Sequence, residues 1–337
     1  MSLINLRPVK ITGLGAALPQ RAISNDELST ILDTNDEWIT TRTGIKQRHV
    51  VSGDEGITSL AVQAANEALA YAGVSATDID LIISATSIPD HLYPSTACEV
   101  QAEIGAINAV AFNVVAACSG FVFALQVAHS LLSNGTYRRA LVIGGDLHSR
   151  AIDWKDRSTA ILFGDAAGAM VVEQTDGENE ILAIDLHSDG RKSSDLRLPL
   201  VGKNSPLVNP NTPKEQKVFM NGREIYKFSI KMIPGAVLDA LEKAKLPIEK
   251  MDYLIPHQAN LRIVEALGEK LNLREDQLIA NLSMYGNTSA ASIPVALSTS
   301  IKQNKVKIPS HIAMVGFGSG LTWGVAVVKW TAMDKRK

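Results

Sequence analysis

Three side chains in this sequence, Cys118, His257 and Asn287, are of the types that carry covalent acyl transfer, and each follows an apolar, strand-like run. Val110-Ala111-Phe112-Asn113-Val114-Val115 stops at Ala116-Ala117-Cys118-Ser119-Gly120, and Phe121 to Ala128 then has the composition of a buried helix. A strand-to-helix turn there presents a single thiol. Unpaired N–H groups and the positive end of the helix dipole face it, so the thiolate is expected to be favoured and its pKa lowered. His257 follows Tyr253-Leu254-Ile255-Pro256 and offers a base or a donor. Asn287 follows Asn281 to Gly286, cannot accept a proton, and serves as a dipolar donor. Cys98, inside Ser95-Thr96-Ala97-Cys98-Glu99-Val100, reads instead as an inert core thiol. His49, His91, His129, His148, His187 and His311 lack a comparable setting and read as surface or hydrogen-bonded structural residues. Gly316 to Gly320 has the look of a phosphate loop, but no Lys-Ser/Thr follows, so nucleotide hydrolysis is unsupported.

The elements that must bring these three groups together are legible as a duplication. Asp80-Leu81-Ile82-Ile83-Ser84 recurs as Asp252-Tyr253-Leu254-Ile255-Pro256, an offset of 172 residues (80 to 252). The same shift takes Leu141-Val142-Ile143-Gly144 to Ala313-Met314-Val315-Gly316, and Val9-Lys10-Ile11-Thr12 to Ile181-Leu182-Ala183-Ile184. Gly168 to Val172 matches Gly324 to Val328 at 156 (168 to 324), so the first half carries 16 extra residues within 149–164. Helical spacing of Leu60, Ala61, Ala64, Ala65, Ala68, Leu69 and Ala72 before Gly73 separates the strands. Strands alternating with helices argue for two layered α/β halves, 1–175 with the thiol and 176–337 with His and Asn, packed with pseudo-two-fold symmetry. Cys118 shifted by 172 becomes Ala290, so the scaffold is symmetric and the chemistry is not.

Two stretches stand outside the repeat. Residues 24–50 contain two capping-box spacings, Ser24 with Glu27 and Thr34 with Glu37, the second leading to Trp38 and Arg42 on one helical face. Residues 188–217 are rich in Pro, Ser, Asn, Lys and Gly and read as a long surface excursion. The chain has 337 residues, 46% of them hydrophobic and 20% charged, with a formal net charge of −2. That balance fits a globular α/β enzyme and gives no support for nucleic-acid or membrane-surface binding. No secretion signal or membrane-spanning run is evident, which points to the cytosol. Two cysteines in unlike settings exclude a cysteine-rich metal site, and no metal or cofactor is expected.

Ala117-Cys118-Ser119-Gly120-Phe121, Ile255 to Ile263, Gly286-Asn287-Thr288-Ser289-Ala290-Ala291 and Gly316-Phe317-Gly318-Ser319-Gly320-Leu321-Thr322-Trp323-Gly324 together resemble 3-oxoacyl-acyl-carrier-protein synthase III of the thiolase superfamily. The resemblance runs over nearly the whole chain. It implies a duplicated five-layered α/β/α/β/α sandwich, which the repeat also implies independently. Cys118 is then expected to take the acyl group of a primer acyl-CoA, with the oxyanion held by N–H groups of Cys118 and of Gly318-Ser319-Gly320. His257 and Asn287 would hold the thioester carbonyl of malonyl-acyl-carrier protein while it loses carbon dioxide and attacks the acyl group. The resemblance places Thr34, Trp38, Arg42, Arg157, Met220, Gly222, Tyr226, Ala259 and Asn260 along the channel for CoA and its pantetheine arm. It places Gln258, Arg262, Lys227 and Lys270 against the acyl-carrier protein, and Tyr93 at the primer pocket of a partner subunit in a homodimer. Ser319, Ser158, Arg223 and Glu269 depart from the commonest residues at their positions.

Competing readings share the thiol. A sibling condensing enzyme would make quinolone-type, polyketide or long-chain ketone products with the same three residues. A cysteine acyltransferase or thioesterase would use His257 as a base and form no carbon–carbon bond. A carrier-protein-binding module with a dead site would form no adduct at Cys118.

Overall fold

The computed structural model describes residues 6–199 and 217–336. In chain order the principal elements are β1 (Val9–Ala17), α1 (Asp36–Thr43), α2 (Ile57–Ala72), β2 (Leu81–Ala85), α3 (Thr96–Ile104), β3 (Val110–Val114), α4 (Gly120–Ser133), β4 (Arg139–Asp146) and β5 (Ala166–Gln174). There follow β6 (Ile181–Ser188), α5 (Gly222–Lys243), β7 (Tyr253–Pro256), α6 (Leu261–Lys270), α7 (Ser292–Lys302), β8 (Ser310–Gly318) and β9 (Thr322–Trp330). The first sheet runs β1-β5-β4-β2-β3 and the second β6-β9-β8-β7, with an isolated bridge from Leu254 to Leu278 where a fifth strand would lie. The order is the same in both. Register agrees too: Leu81 faces Ala140 as Tyr253 faces Ile312, and Gly144 faces Gly168 as Gly316 faces Gly324. Each second pair is the first moved by the offsets read from the sequence.

Helices α2 and α3 cover the outer face of the first sheet, α5 and α6 that of the second, and α4 and α7 lie between the sheets. The five layers follow from burial. Along α7 every residue from Ser292 to Ser298 is buried, because a helix between two sheets has little face left for water. By contrast α2 buries one stripe, Leu60, Ala61, Ala64, Ala65 and Ala68, and stops at Gly73 with a left-handed φ of 63°. Two glycines let the central helices approach. A Cβ on Gly144 would lie 2.4 Å from the Ala290 carbonyl oxygen, and one on Gly316 would lie 2.9 Å from Ser119 Cα. Each sheet therefore receives the helix-entry turn of the opposite half.

Nineteen residues separate β4 from β5 and three separate β8 from β9, which locates the 16-residue excess where the repeat put it. Residues 24–50 form a hairpin, Arg21–Ser24 against Gln47–Val50, that carries α1. Ser24 caps as expected, its side chain accepting from Glu27 N. The second cap is Asn35 and not Thr34: Asn35 Oδ1 accepts from Trp38 N at 2.7 Å, and the Thr34 hydroxyl is buried without a partner. A one-residue shift suffices because Asn caps at least as well as Thr. Of the excursion expected over 188–217, residues 200–216 lie outside the described part; the flanks pair as a ribbon, Leu196–Arg197 with Phe219–Met220. Among the described residues no helix is long and apolar enough to cross a membrane.

Candidate active site

Cys118 lies in a one-turn element, Ala117–Ser119, between β3 and α4, and Ser289–Ala291 repeats that turn 172 residues later before α7. Ala117 and Ser289 both take left-handed φ, 46° and 49°. A non-glycine residue in that region costs free energy that the surrounding packing must offset, and here it aims the following side chain back into the site. The two turns meet. Ser289 Oγ donates to Cys118 Sγ at 3.3 Å, so the second half supplies a hydroxyl to the first half's nucleophile.

His257 extends β7, its N–H donating to Val315 O at 2.7 Å, and its ring meets Phe317 edge-on at 5.2 Å between centroids. Its Nδ1 is 2.8 Å from the hydroxyl of Ser292, the first residue of α7. Asn287 is gripped by the extra segment of the first half: its N–H donates to Leu162 O at 2.8 Å, its carbonyl accepts from Gly164 N at 3.0 Å, and its side-chain oxygen accepts from Ser289 N at 2.9 Å. That last bond leaves the carboxamide NH2 for another acceptor. Arg48, wholly buried, donates to Ile161 O at 2.7 Å and so anchors the same segment.

Cys118, His257 and Asn287, each no more than 6% exposed, line one cavity of about 550 Å³ with Phe163, Phe317 and Gly318. A second cavity of about 940 Å³ meets it at Cys118, bounded by Ile88, Leu92, Val115, His148, Leu198 and Ser319. A thiol where two cavities join can be approached from one side by a long, thin substrate whose acyl end occupies the other. Gly318 lies against the nucleophile, since a Cβ there would be 2.9 Å from Cys118 Cβ and 3.3 Å from Sγ. Ser319 and Gly320 line the second cavity, the Ser319 hydroxyl donating to Leu196 O at 2.5 Å.

The electrostatics differ from expectation at the thiol. Burial pushes Cys118 up to about 12, and the Asp146 carboxylate adds to this, against the opposing hydrogen bond from Ser289 and the thiol's contact with its own N–H. Desolvation of a thiolate outweighs the helix start, so the resting group is a neutral thiol. Burial likewise pushes His257 down to about 3, which keeps the imidazole neutral.

Toward the mouth, Trp38, Arg42, Met220, Gly222, Tyr226, Ala259 and Asn260, the residues assigned to the channel, line the first cavity, and Arg262, assigned to the carrier protein, lines it with them. Trp38 has a guanidinium on its ring from each of two residues, Arg42 at 4.2 Å and Arg157 at 4.7 Å from the centroid. Asn260 caps α6 by accepting from Arg262 N, and donates to Arg42 O at 3.0 Å, while Arg262 donates to Thr41 O at 2.7 Å. Thr34 does not line the cavity. Gln258 is a correction. It is fully buried, donates to Pro256 O and Ile279 O, and accepts from Asn281 N, so its amide is spent inside the fold and cannot meet a partner protein. Lys227 is exposed but paired with Glu224 at 2.7 Å; Lys270 is exposed at the far end of α6. Tyr93 is 88% exposed; its chain neighbour Leu92 and Val115, both lining the second cavity, are 60% and 73% exposed. His148 also departs from expectation: it is buried in the wall of the second cavity, stacked on Phe163 at 4.4 Å, with Nδ1 unpartnered.

Ser289 and Ser292 escaped the reading of the sequence. The first could have been found from the repeat, as the residue equivalent to Ala117; the second has no signal, because a serine opening a helix is ordinary.

Fold and site together define the class: a thiolase-type enzyme in which a cysteine from one half faces a histidine and an asparagine from the other. The chain belongs to the 3-oxoacyl-[acyl-carrier-protein] synthase III family. Its family profile, 3-Oxoacyl-[acyl-carrier-protein (ACP)] synthase III, matches residues 112–190, and the profile of the family's C-terminal part matches 241–330. The beta-ketoacyl-[acyl-carrier-protein] synthase III of Thermosynechococcus vestitus is 48% identical over 331 residues, 97% of this chain and 100% of the relative. The crystal structure of the 3-oxoacyl-[acyl-carrier-protein] synthase III of Aquifex aeolicus superposes with a TM-score of 0.88 at 44% identity, covering 96% of this chain and 100% of that one. The priming beta-ketosynthase of the R1128 polyketide pathway superposes with a TM-score of 0.92 at 32% identity, over 99% of both chains.

Proposed function

We propose that the protein is the condensing enzyme that starts fatty acid synthesis, joining the acyl group of an acyl-CoA primer to malonyl-acyl-carrier protein. The observation that carries this is the convergence of Cys118, His257 and Asn287 on one cavity that meets a second at the sulfur. The primer enters past Trp38, Arg42 and Arg157, whose guanidinium groups suit CoA phosphates. Cys118 Sγ attacks the thioester carbonyl, its proton leaves with CoA as a free thiol, and an acyl-cysteine remains. Because the resting thiol is neutral, this exchange transfers one proton and builds no net charge in a dry pocket.

Malonyl-acyl-carrier protein then occupies the vacated channel. His257 and the Asn287 NH2 donate to its thioester oxygen, so the electron pair released with carbon dioxide is held as an enolate. The enolate carbon attacks the acyl carbonyl, Cys118 leaves as a thiolate and takes up one proton from solvent, and 3-oxoacyl-acyl-carrier protein departs. The exposed cations Arg262 and Lys270 on α6 offer the acidic carrier protein a local basic surface. A homodimer is the reading that suits the exposed apolar residues on and after the edge strand β3, Val110 (49% exposed) and Val115, together with exposed Leu92 and Tyr93.

The likeness to the polyketide priming ketosynthase keeps a second product class in view, since the same three groups would serve either carrier. Incubation with acetyl-CoA and malonyl-acyl-carrier protein tests the reading. It predicts equimolar carbon dioxide and 3-oxobutyryl-acyl-carrier protein, the condensation product being abolished by Cys118→Ser. Hydrolysis of acetyl-CoA without carbon–carbon bond formation would overturn it.

A further inference from the structure

We infer that Ser292 is a positioning residue that fixes the ring tautomer of His257, so that the imidazole presents an N–H at Nε2 to the cavity. This rests on the condensing role proposed above only for its consequence; the tautomer itself follows from packing. Ser292 is 1% exposed and its hydroxyl lies 2.8 Å from His257 Nδ1. Among the described residues that is the hydroxyl's only hydrogen-bond partner.

Two arrangements are possible. If Nδ1 carried the proton and donated, the Ser292 O–H would face no acceptor, and a buried unsatisfied donor costs about 1–3 kcal/mol. If Ser292 donates, Nδ1 accepts, both groups are satisfied, and the single proton of the neutral ring sits on Nε2. The second arrangement wins. Burial supports neutrality, holding His257 far below the ordinary histidine range.

The consequence separates two chemistries. A cysteine hydrolase needs an unprotonated ring nitrogen on the side that faces the thiol or water, which here would be Nε2. An Nε2–H cannot do that, but it can hold a developing enolate oxygen beside the Asn287 carboxamide. Ser292 therefore biases the site toward condensation, and leaves acylation of Cys118 to other groups, among them Ser289.

Nitrogen NMR of the full-length resting enzyme, labelled at histidine, reads the tautomer directly; His257→Asn assigns the signals by difference. The expected wild-type spectrum has a protonated, pyrrole-type Nε2 and a bare, pyridine-type Nδ1. In Ser292→Ala the ring loses its restraint: the His257 signals shift or broaden, the kcat of condensation falls about tenfold, the loss of one ordinary hydrogen bond, and acyl-Cys118 formation from acetyl-CoA stays within about threefold. Ser292→Cys, a weak donor, falls between. A protonated Nδ1 in the wild type, or a Ser292→Ala enzyme with unchanged spectrum and condensation rate, overturns the inference. A misfolded Ser292→Ala protein would lose acylation too, and the wild-type spectrum then decides alone. If the wild type never condenses, the functional reading fails while the spectrum still settles the tautomer.

Discussion

Gly318→Ala probes the tightest feature of the site. The added methyl carbon would lie 2.9 Å from Cys118 Cβ, 3.0 Å from Cys118 N and 3.3 Å from Sγ. Carbon atoms rest at about 3.5–4.0 Å, so the thiol-bearing turn or the end of β8 must move by roughly 0.6 Å or more. The two nearest, Cys118 Cβ and backbone N, cannot swing aside by a change of rotamer. Overpacking of this kind costs about 1–3 kcal/mol of stability. Its kinetic effect should be larger, because a nucleophile displaced by about 1 Å loses on the order of 100-fold in rate. The assay is single-turnover acylation by radiolabelled acetyl-CoA, alongside thermal unfolding. Gly235→Ala is the control: it lies on α5 with nothing within 4 Å of the new methyl, and should gain about 0.5–1 kcal/mol with acylation unchanged. A Gly318→Ala enzyme that acylates at the wild-type rate would refute the claim that Gly318 sets the position of the sulfur.

Other expectations follow from the same geometry. With the Cys118 thiol near 12, about one molecule in 10⁴ is thiolate at pH 8, so iodoacetamide labelling of the Cys118 peptide should rise about tenfold per pH unit from 7 to 10. A plateau below pH 8 would show that the helix start wins over burial. Trp38→Ala should raise the KM for acetyl-CoA about tenfold and leave condensation of pre-acylated enzyme unchanged, because the two guanidinium groups lose the ring that holds them in place; an unaltered KM would place CoA elsewhere. Arg48→Met should slow condensation more than acylation, since Arg48 steadies the segment that grips Asn287; equal losses in both steps would mean a general loss of fold.

Much of this architecture was readable because a duplication leaves two copies of each constraint. The offset of 172 marked the two halves as copies, and the structure extends the equivalence to cross-strand partners, as Leu81–Ala140 and Tyr253–Ile312 show, because strand registers survive when side chains drift. Cys118 and Asn287 were visible as chemistry placed on one copy of a motif and at its neighbour. What the chain hid were effects of depth. Nothing in a linear string says that Gln258 turns inward to bond Pro256 and Ile279, or that Thr34 gives way to Asn35 as cap. The thiol's acidity was misjudged for the same reason: a helix start is legible locally, whereas desolvation depends on walls contributed by β8 and by both halves' turns.

The division of labour across the two halves is the central claim, and separating the half-reactions tests it most directly. His257→Ala and Asn287→Ala should each still form acyl-Cys118 from acetyl-CoA, seen as a mass increase on the Cys118 peptide, while releasing carbon dioxide from malonyl-acyl-carrier protein at least 100-fold more slowly, by analogy with the loss of an oxyanion donor. If either variant failed to acylate Cys118 yet still decarboxylated malonyl-acyl-carrier protein at the wild-type rate, the assignment of roles would be wrong.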